Sequence, residues 1–483
     1  MNGSGQNVLI GWAERDVTPT GKVSLWGQHH VRLTEEVHDP LTATALALSS
    51  PDEREQAIFV SLDAVAVTDY VTEGCRARLA QALPGFRPDM LLIHATHTHT
   101  APDQPEGVWS LNPDLGDDVV TEEAYGDLLV ERISEAAIDA WNGRAPGALS
   151  WGRGYAVVGF NRRAAYSDGS SRMYGQTSIP EFSHIEGRED HAVELLFTYD
   201  GDHALTGMVV NVPCPSQCTG GAAFVSADYW HETREEIRRR HGRETHILAQ
   251  CSAAGDLSPR PLLDCDADAR MFRLKEYGDD YGMARRRDIA DKLAAVVDEV
   301  LPPASAEIHD QVDFRHRRLT LDLPRRRPTP ADLAEAEAQV AAADKKLAAL
   351  PTHDPASPKC SRALMRRALN QHVLDAHEAQ QRGERLVLPV ELHILRVGDI
   401  ALCSNRFEYY LDFGDRIKGR SKALQTFIVQ LAGQARYLLS ERALAGGSYS
   451  ASVESSPVGP EGGQQIVEAT VAAIAELFGN GSE

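Results

Sequence analysis

The chain has no apolar run long enough to span a bilayer, no basic segment followed by an apolar one at its start, and no internal repeat. It is also short of positive charge, with 49 Lys and Arg against 70 Asp and Glu and a net charge of −21. The opening residues MNGSGQNVLIGWAERDVTPT do not read as a leader, so a cytoplasmic location is expected. An acidic field repels phosphate backbones and anionic membrane surfaces, which excludes nucleic acid as the expected partner. Net charge acts at long range, however, and a local basic pocket can still take an anion. Cysteine is sparse and odd in number: Cys75, Cys214, Cys218, Cys251, Cys265, Cys360 and Cys403 are scattered rather than framed, so reduced thiols are expected.

What is present is an ordinary globular balance, 42% hydrophobic and 25% charged over 483 residues, enough for two or three domains or one large domain with insertions. Apolar runs at 8–12, 43–49 and 57–67 read as buried strands. Helical spacing follows over 71–83, and 90–100 returns to a strand with a His-rich end. Further strands are expected at 148–160, 191–199, 204–212 and 246–253, with helices near 121–143, 228–241 and 464–478. Strand, helix, strand alternation predicts an α/β fold of mixed sheets layered with helices. From 325 to 385 the character changes. Thr329-Pro330 can cap a helix whose Leu333, Ala336, Val340, Ala343 and Leu347 recur at a/d spacing, and a second helical stretch follows near 361–382. The expected organisation is one catalytic domain, 1–324 and 386–483, interrupted by an antiparallel helical hairpin over 325–385. The hairpin's seam can pack within the chain or between copies as a homo-oligomer contact, and no functional residue type stands out on it.

HATHTHTAPD (94–103) sets His97 and His99 two apart, so in an extended chain both imidazoles project from one face and can chelate one metal. Zinc suits such a pair, because a catalytic site takes about three N, O or S protein ligands and leaves a position for water. CPSQC (214–218) and SADYWHE (226–232) bring Cys214, Cys218 and His231 near one another in sequence. These are zinc-ligand types, but free Cys is commonly a core residue and His231 can simply cover a helix start. AAGDLSP (253–259) holds Asp256 and Ser258 in a Gly/Pro-bounded turn that is not a GxSxG elbow and is often purely structural. FNRR (160–163) offers a guanidinium for an anionic or hydroxyl-rich ligand, or a surface ion pair. Glu408 in SNRFEYYLDFG and Tyr437 in ARYLLSE are a carboxylate and a phenol, the hard donors that a zinc held by imidazole lacks. A phenol can also donate to a developing oxyanion.

In order, GWAERDVTPT, ATHTHTAP, GFNRR, the run into CPSQ, AAGDLSP, the Glu408 segment and ARYLL resemble the catalytic domain of the neutral/alkaline ceramidase family over most of the chain. The resemblance implies a zinc amidase that splits N-acylsphingosine, with zinc held by two His, one Glu and one Tyr. His97, Glu408 and Tyr437 match three of these. The fourth, a His followed by Pro in the family, reads Cys214-Pro215 here, so a Cys214 thiolate is the expected substitute, with His231 or loss of the metal as the alternatives. The resemblance further implies His99 and Ser258 beside the zinc-bound water and Arg162 contacting substrate, with His99 and Tyr437 stabilising charge or moving protons; Asp256 is a further catalytic candidate and His231 a further substrate-binding one. Family ceramidases are longer and carry an immunoglobulin-like C-terminal domain. A small water-soluble amide is therefore expected alongside a lipid-like one. Rival expectations are a metal-dependent glycosidase or esterase on the same scaffold, and a non-catalytic binding protein with a degenerate site.

Overall fold

The computed structural model describes residues 6–107, 115–434 and 436–479. Its largest sheet has nine strands. Eight form a path in the order His246–Cys251, Leu205–Val212, Ala192–Tyr199, Ala145–Tyr155, Gln6–Asp16, Thr42–Ser49, Gln56–Leu62 and Leu91–Ala95, and Gln311–Val312 adds to Gln6–Asp16. The inner pairs are antiparallel, while the outermost pair at each end is parallel. Parallel neighbours need a crossover, and both crossovers are helical: Asp69–Ala82 joins one pair and Tyr229–His241 the other. A second sheet, ordered Phe314–Pro324, Val387–Val397, Ile400–Ser404 and Gln425–Val429, repeats the device, with helix Leu411–Arg420 crossing over its final parallel pair.

The two sheets stack. Leu46, Phe59, Leu149, Leu196 and Leu248 of the large sheet meet Phe314, Leu395, Leu402 and Phe427 of the smaller one in a single apolar cluster. The opposite face of the large sheet is covered by helices Asp69–Ala82 and Glu122–Asn142 at one end and by Tyr229–His241 and Tyr281–Ala304 at the other. Helix Pro460–Gly479 covers the outer face of the second sheet through Ile466, Val467 and Ile474. The result is helix, sheet, sheet, helix, an α/β architecture. Strands buried on both faces explain why runs such as QAIFVSL lack alternation.

Two helices, Cys265–Leu274 and Tyr281–Ala304, fall where no element is expected from the sequence. Between the paired strands Phe314–Pro324 and Val387–Val397 the chain runs through helices Pro330–Ala348 and Pro358–Gln381. Thr329 and Asp332 form a reciprocal capping box at the first of these. Of its seam, Ala336 and Ala343 are buried. All seven cysteines are free. Among the described residues no helix is long and apolar enough to cross a membrane.

Candidate active site

Each of the three strand–helix–strand units ends its parallel strands toward one region, where α/β sheets characteristically place ligands. Backbone hydrogen bonds stitch those ends together: Ala95 donates to the Leu431 carbonyl, Gln430 to Cys251, Ser216 to Thr96 and Gly255 to Tyr409. His97 and His99 follow one strand, Gln217 another, Asp256 and Ser258 a third, and Glu408 and Tyr437 the last two. Glu408 and Tyr437 are direct register partners in a short parallel bridge, although 29 positions separate them in the numbering.

His97 is not in an extended segment. The strand stops at Ala95, and His97 adopts a left-handed backbone with φ of 70°. Such a conformation costs on the order of 1–3 kcal/mol in a non-glycine residue and persists only where surroundings fix it. Here its N–H donates to the Ala64 carbonyl at 2.9 Å and its Nδ1 to the Val65 carbonyl at 2.7 Å. The two imidazoles still meet, edge to face, with centroids 4.8 Å apart. The His99 ring packs against Gly27, whose φ is 99° and where an added Cβ would fall 2.5 Å from the ring, so no larger residue fits. Arg32, buried, donates to the carbonyls of Trp26, His99, Gly220 and Ala222 and so ties the loops around that ring.

A carbonyl only accepts, so the Nδ1 bond assigns the His97 proton to Nδ1 and leaves the Nε2 lone pair facing Glu408. Nε2 is buried, has no hydrogen-bond partner, and lies 3.3 Å from the Glu408 Oε2. A lone pair opposite a carboxylate oxygen is unfavourable unless a proton or a cation lies between them. Burial alone would raise the Glu408 carboxyl, but His97, Arg162 and Tyr437 outweigh it and hold the group below its ordinary range. The Tyr437 phenol is raised well above its ordinary value by burial and by Glu408. Imidazole, carboxylate and phenol thus form a three-donor set that fits zinc. Among the described residues no three His, Cys, Asp or Glu are arranged to hold a metal ion, so the set depends on the phenol.

Arg162 organises this set. Its guanidinium donates to the Gly255 carbonyl at 2.8 Å and the Tyr174 hydroxyl at 3.0 Å, and more weakly to Gln217 and Tyr437 at 3.4 Å, and it stands 3.7 Å from Glu408. Gln217 Nε2 donates to His99 Nε2 at 3.0 Å. Burial first, then His97, Arg32 and Arg162, push the His99 imidazole well below its ordinary range, so it is neutral. His99, Arg162, Ser258 and Tyr437 line a cavity of about 760 Å³, together with His29, Tyr174, Gln217 and Tyr449. His97 and Glu408 lie one layer deeper and are reached through Arg162 and Tyr437.

Three expected residues stand elsewhere or act differently. The Cys214 Sγ faces the Val158 carbonyl at 3.3 Å inside an apolar cluster, and burial raises the thiol well above its ordinary value. Burial disfavours a thiolate there, and the structure packs Cys214 as a core side chain. His231 sits on the first turn of helix Tyr229–His241 and lines a separate surface cleft with Glu235 and Arg239. It neither fills the fourth ligand position nor touches the cavity. Asp256 is a brace: its carboxylate accepts from Asn161 at 2.9 Å and the Leu411 N–H at 3.0 Å, its carbonyl accepts the Arg162 N–H, and burial raises it to about 6. Gln217, Tyr174, Tyr449, His29 and Arg32 are not expected from the sequence. Gln217 alone had a signal, since it lies inside CPSQC.

No protein-family profile matches the chain, and no curated protein matches it in sequence. Among solved structures, a neutral ceramidase from Pseudomonas aeruginosa superposes with a TM-score of 0.69 at 18% identity, covering 99% of this chain and 76% of that one. A ceramidase complexed with C2 gives 0.68 at 16% identity, over 98% of this chain and 75% of that one. The chain therefore has a neutral ceramidase-like fold.

Proposed function

We propose that this chain is a zinc-dependent hydrolase that cleaves an amide C–N bond, with His97, Glu408 and Tyr437 as the protein ligands. The observation that carries the reading is the partnerless His97 Nε2 aimed at the Glu408 carboxylate, with the Tyr437 phenol at the neighbouring register position. The ceramidase-like fold supports it. When bound, zinc would supply a water acidified toward neutral pH and a Lewis acid for the carbonyl. The other groups are this chain's own. Tyr437, kept protonated by burial, donates toward the carbonyl oxygen as charge develops there, and Arg162 holds that phenol and Glu408 in place. His99, neutral and lining the cavity, has its Nε2 lone pair held by the Gln217 amide, so the N–H left at Nδ1 is what it offers to orient the attacking water or the substrate. Ser258, whose Oγ accepts from the Arg260 N–H at 3.1 Å, keeps its hydroxyl proton to orient the amide.

The test is a panel of N-acyl amides, esters and aryl glycosides offered to zinc-loaded and chelator-treated protein. Amide cleavage that needs zinc and is lost in Glu408→Gln is expected. Zinc-dependent turnover of the glycosides or esters alone would replace the bond named here.

A further inference from the structure

The outer half of the cavity carries a charge pattern opposite to that of the chain. Five arginines line it, Arg162, Arg260, Arg285, Arg362 and Arg366, against one carboxylate side chain, Glu454, in a protein of net charge −21. Two of the five are accounted for. Arg162 braces the donor set, and Arg285 is paired with Asp268 and Asp288. The other three have no carboxylate partner among the described residues: Arg260 lies over the Tyr281 ring, Arg362 donates to His30 at 3.2 Å, and Arg366 makes no side-chain bond.

Arg362 and Arg366 come from helix Pro358–Gln381, one turn apart and so on one face. The contrast with the same helix's other side is direct. Arg367, one position on, pairs with Asp344 of helix Pro330–Ala348 at 2.7 Å. The outward arginine is neutralised within the protein, and the two facing the cavity are not. Their field is felt inside: after burial, Arg366, Arg436 and Arg362 push the His29 imidazole down to about 4. The wall is also poor in aliphatic surface, with Met173 and Leu369 its only aliphatic side chains apart from Pro259. Its apolar surface comes mainly from the rings of Tyr174, Tyr281, Tyr437 and Tyr449, and beside them a carboxylate or sulfonate would find unpaired guanidinium donors.

We infer that the substrate is a small polar amide bearing an anionic group, and that Arg362 and Arg366 of the helical insertion, opposed by Arg260, bind that group at the cavity mouth. The inference rests on the amide-hydrolase reading for the reacting bond but not for the binding of the anion, and the two can fail separately. The insertion is then a specificity element, which holds one end of the substrate while the amide lies over Tyr437 and His99.

The experiment uses the full zinc-loaded chain and three matched probes: N-acetyl-4-aminobenzoate, N-acetylsulfanilate and the neutral N-acetyl-4-aminobenzamide. Binding is followed by calorimetry and cleavage by release of the free amine. Both anions are expected to bind at least about tenfold more tightly than the neutral probe, a preference that shrinks as salt rises. Arg362→Gln/Arg366→Gln is expected to erase the preference and Arg367→Gln to keep it. All three side chains are exposed or half-buried at a helix surface, and unchanged thermal midpoints will verify intact folding. Equal affinity for all three probes, no binding of either anion, or a preference that survives the double substitution would overturn the inference even if amides are cleaved. Anion preference without cleavage of any probe leaves this inference standing and counts against the amidase reading.

Discussion

The loop that carries His97 hangs on one buried ion pair, and breaking it should have a large effect. Asp63, fully buried, accepts two bonds from Arg234 at 2.7 and 2.9 Å, two from Thr42, and one from the Thr96 hydroxyl, the residue before His97. Arg234 reaches it from helix Tyr229–His241, so the pair bolts one crossover helix to the other end of the sheet. Arg234→Met keeps the bulk of the stem but leaves a desolvated carboxylate with hydroxyl and amide donors only. Loss of one partner of a buried pair costs about 3–5 kcal/mol. At about 2.1 cal/mol/K per residue, the unfolding entropy of a chain this long is about 1 kcal/mol/K, so the thermal midpoint should fall by about 3–5 °C. Adding Asp63→Asn removes the stranded charge while keeping an acceptor for Thr42, and the double variant should regain part of the loss. Thermal and urea unfolding of the wild type and both variants would read this out. A drop of less than about 1 °C in the single variant, or no recovery in the double, would refute the reasoning.

Gly27→Ala should reduce turnover by about a hundredfold, because its Cβ would fall 2.5 Å from the His99 ring at a φ of 99°. Gly419→Ala, which has open space around it, is the control and should leave turnover unchanged. Stability should fall steeply in acid through Glu391. Against burial, which raises it, contacts with His393, Arg76 and Arg318 hold its carboxyl below the ordinary 4.5. Its contribution is complete above that value and is lost as pH falls toward its depressed folded value. Glu391→Gln should therefore flatten the decline of the thermal midpoint below about pH 4.5, and an unchanged slope would count against this pairing. Cys214→Ala should cost about 1–2 kcal/mol in urea unfolding as a core truncation, with activity retained in the folded protein. Loss of activity in fully folded protein would restore Cys214 to the site.

Much of this fold is legible because buried strands and amphipathic helices announce themselves by run length and spacing. The helix Tyr281–Ala304 escapes because its charged segment ARRRD hides the apolar face: Arg285, Arg286 and Asp288 are buried in ion pairs, so the usual rule that charge faces water misleads. His97, His99, Glu408 and Tyr437 can be picked out from donor chemistry and motif order. What the sequence cannot convey is direction. Cys214 has the right chemistry, but its Sγ turns into the core. His97 keeps its place by a left-handed backbone rather than by strand alternation. The register that sets Glu408 beside Tyr437 depends on a crossover helix, and the arginines of the insertion gain meaning only where the helix packs over the cavity.

The most direct test of the zinc centre is metal analysis of the purified chain after incubation with zinc and removal of excess, beside His97→Ala, Glu408→Gln and Cys214→Ala. One zinc per chain in the wild type and in Cys214→Ala, with little in the other two, is the predicted result. A wild type that holds no zinc, or a Cys214→Ala protein that loses it while folded, would contradict the three-donor site.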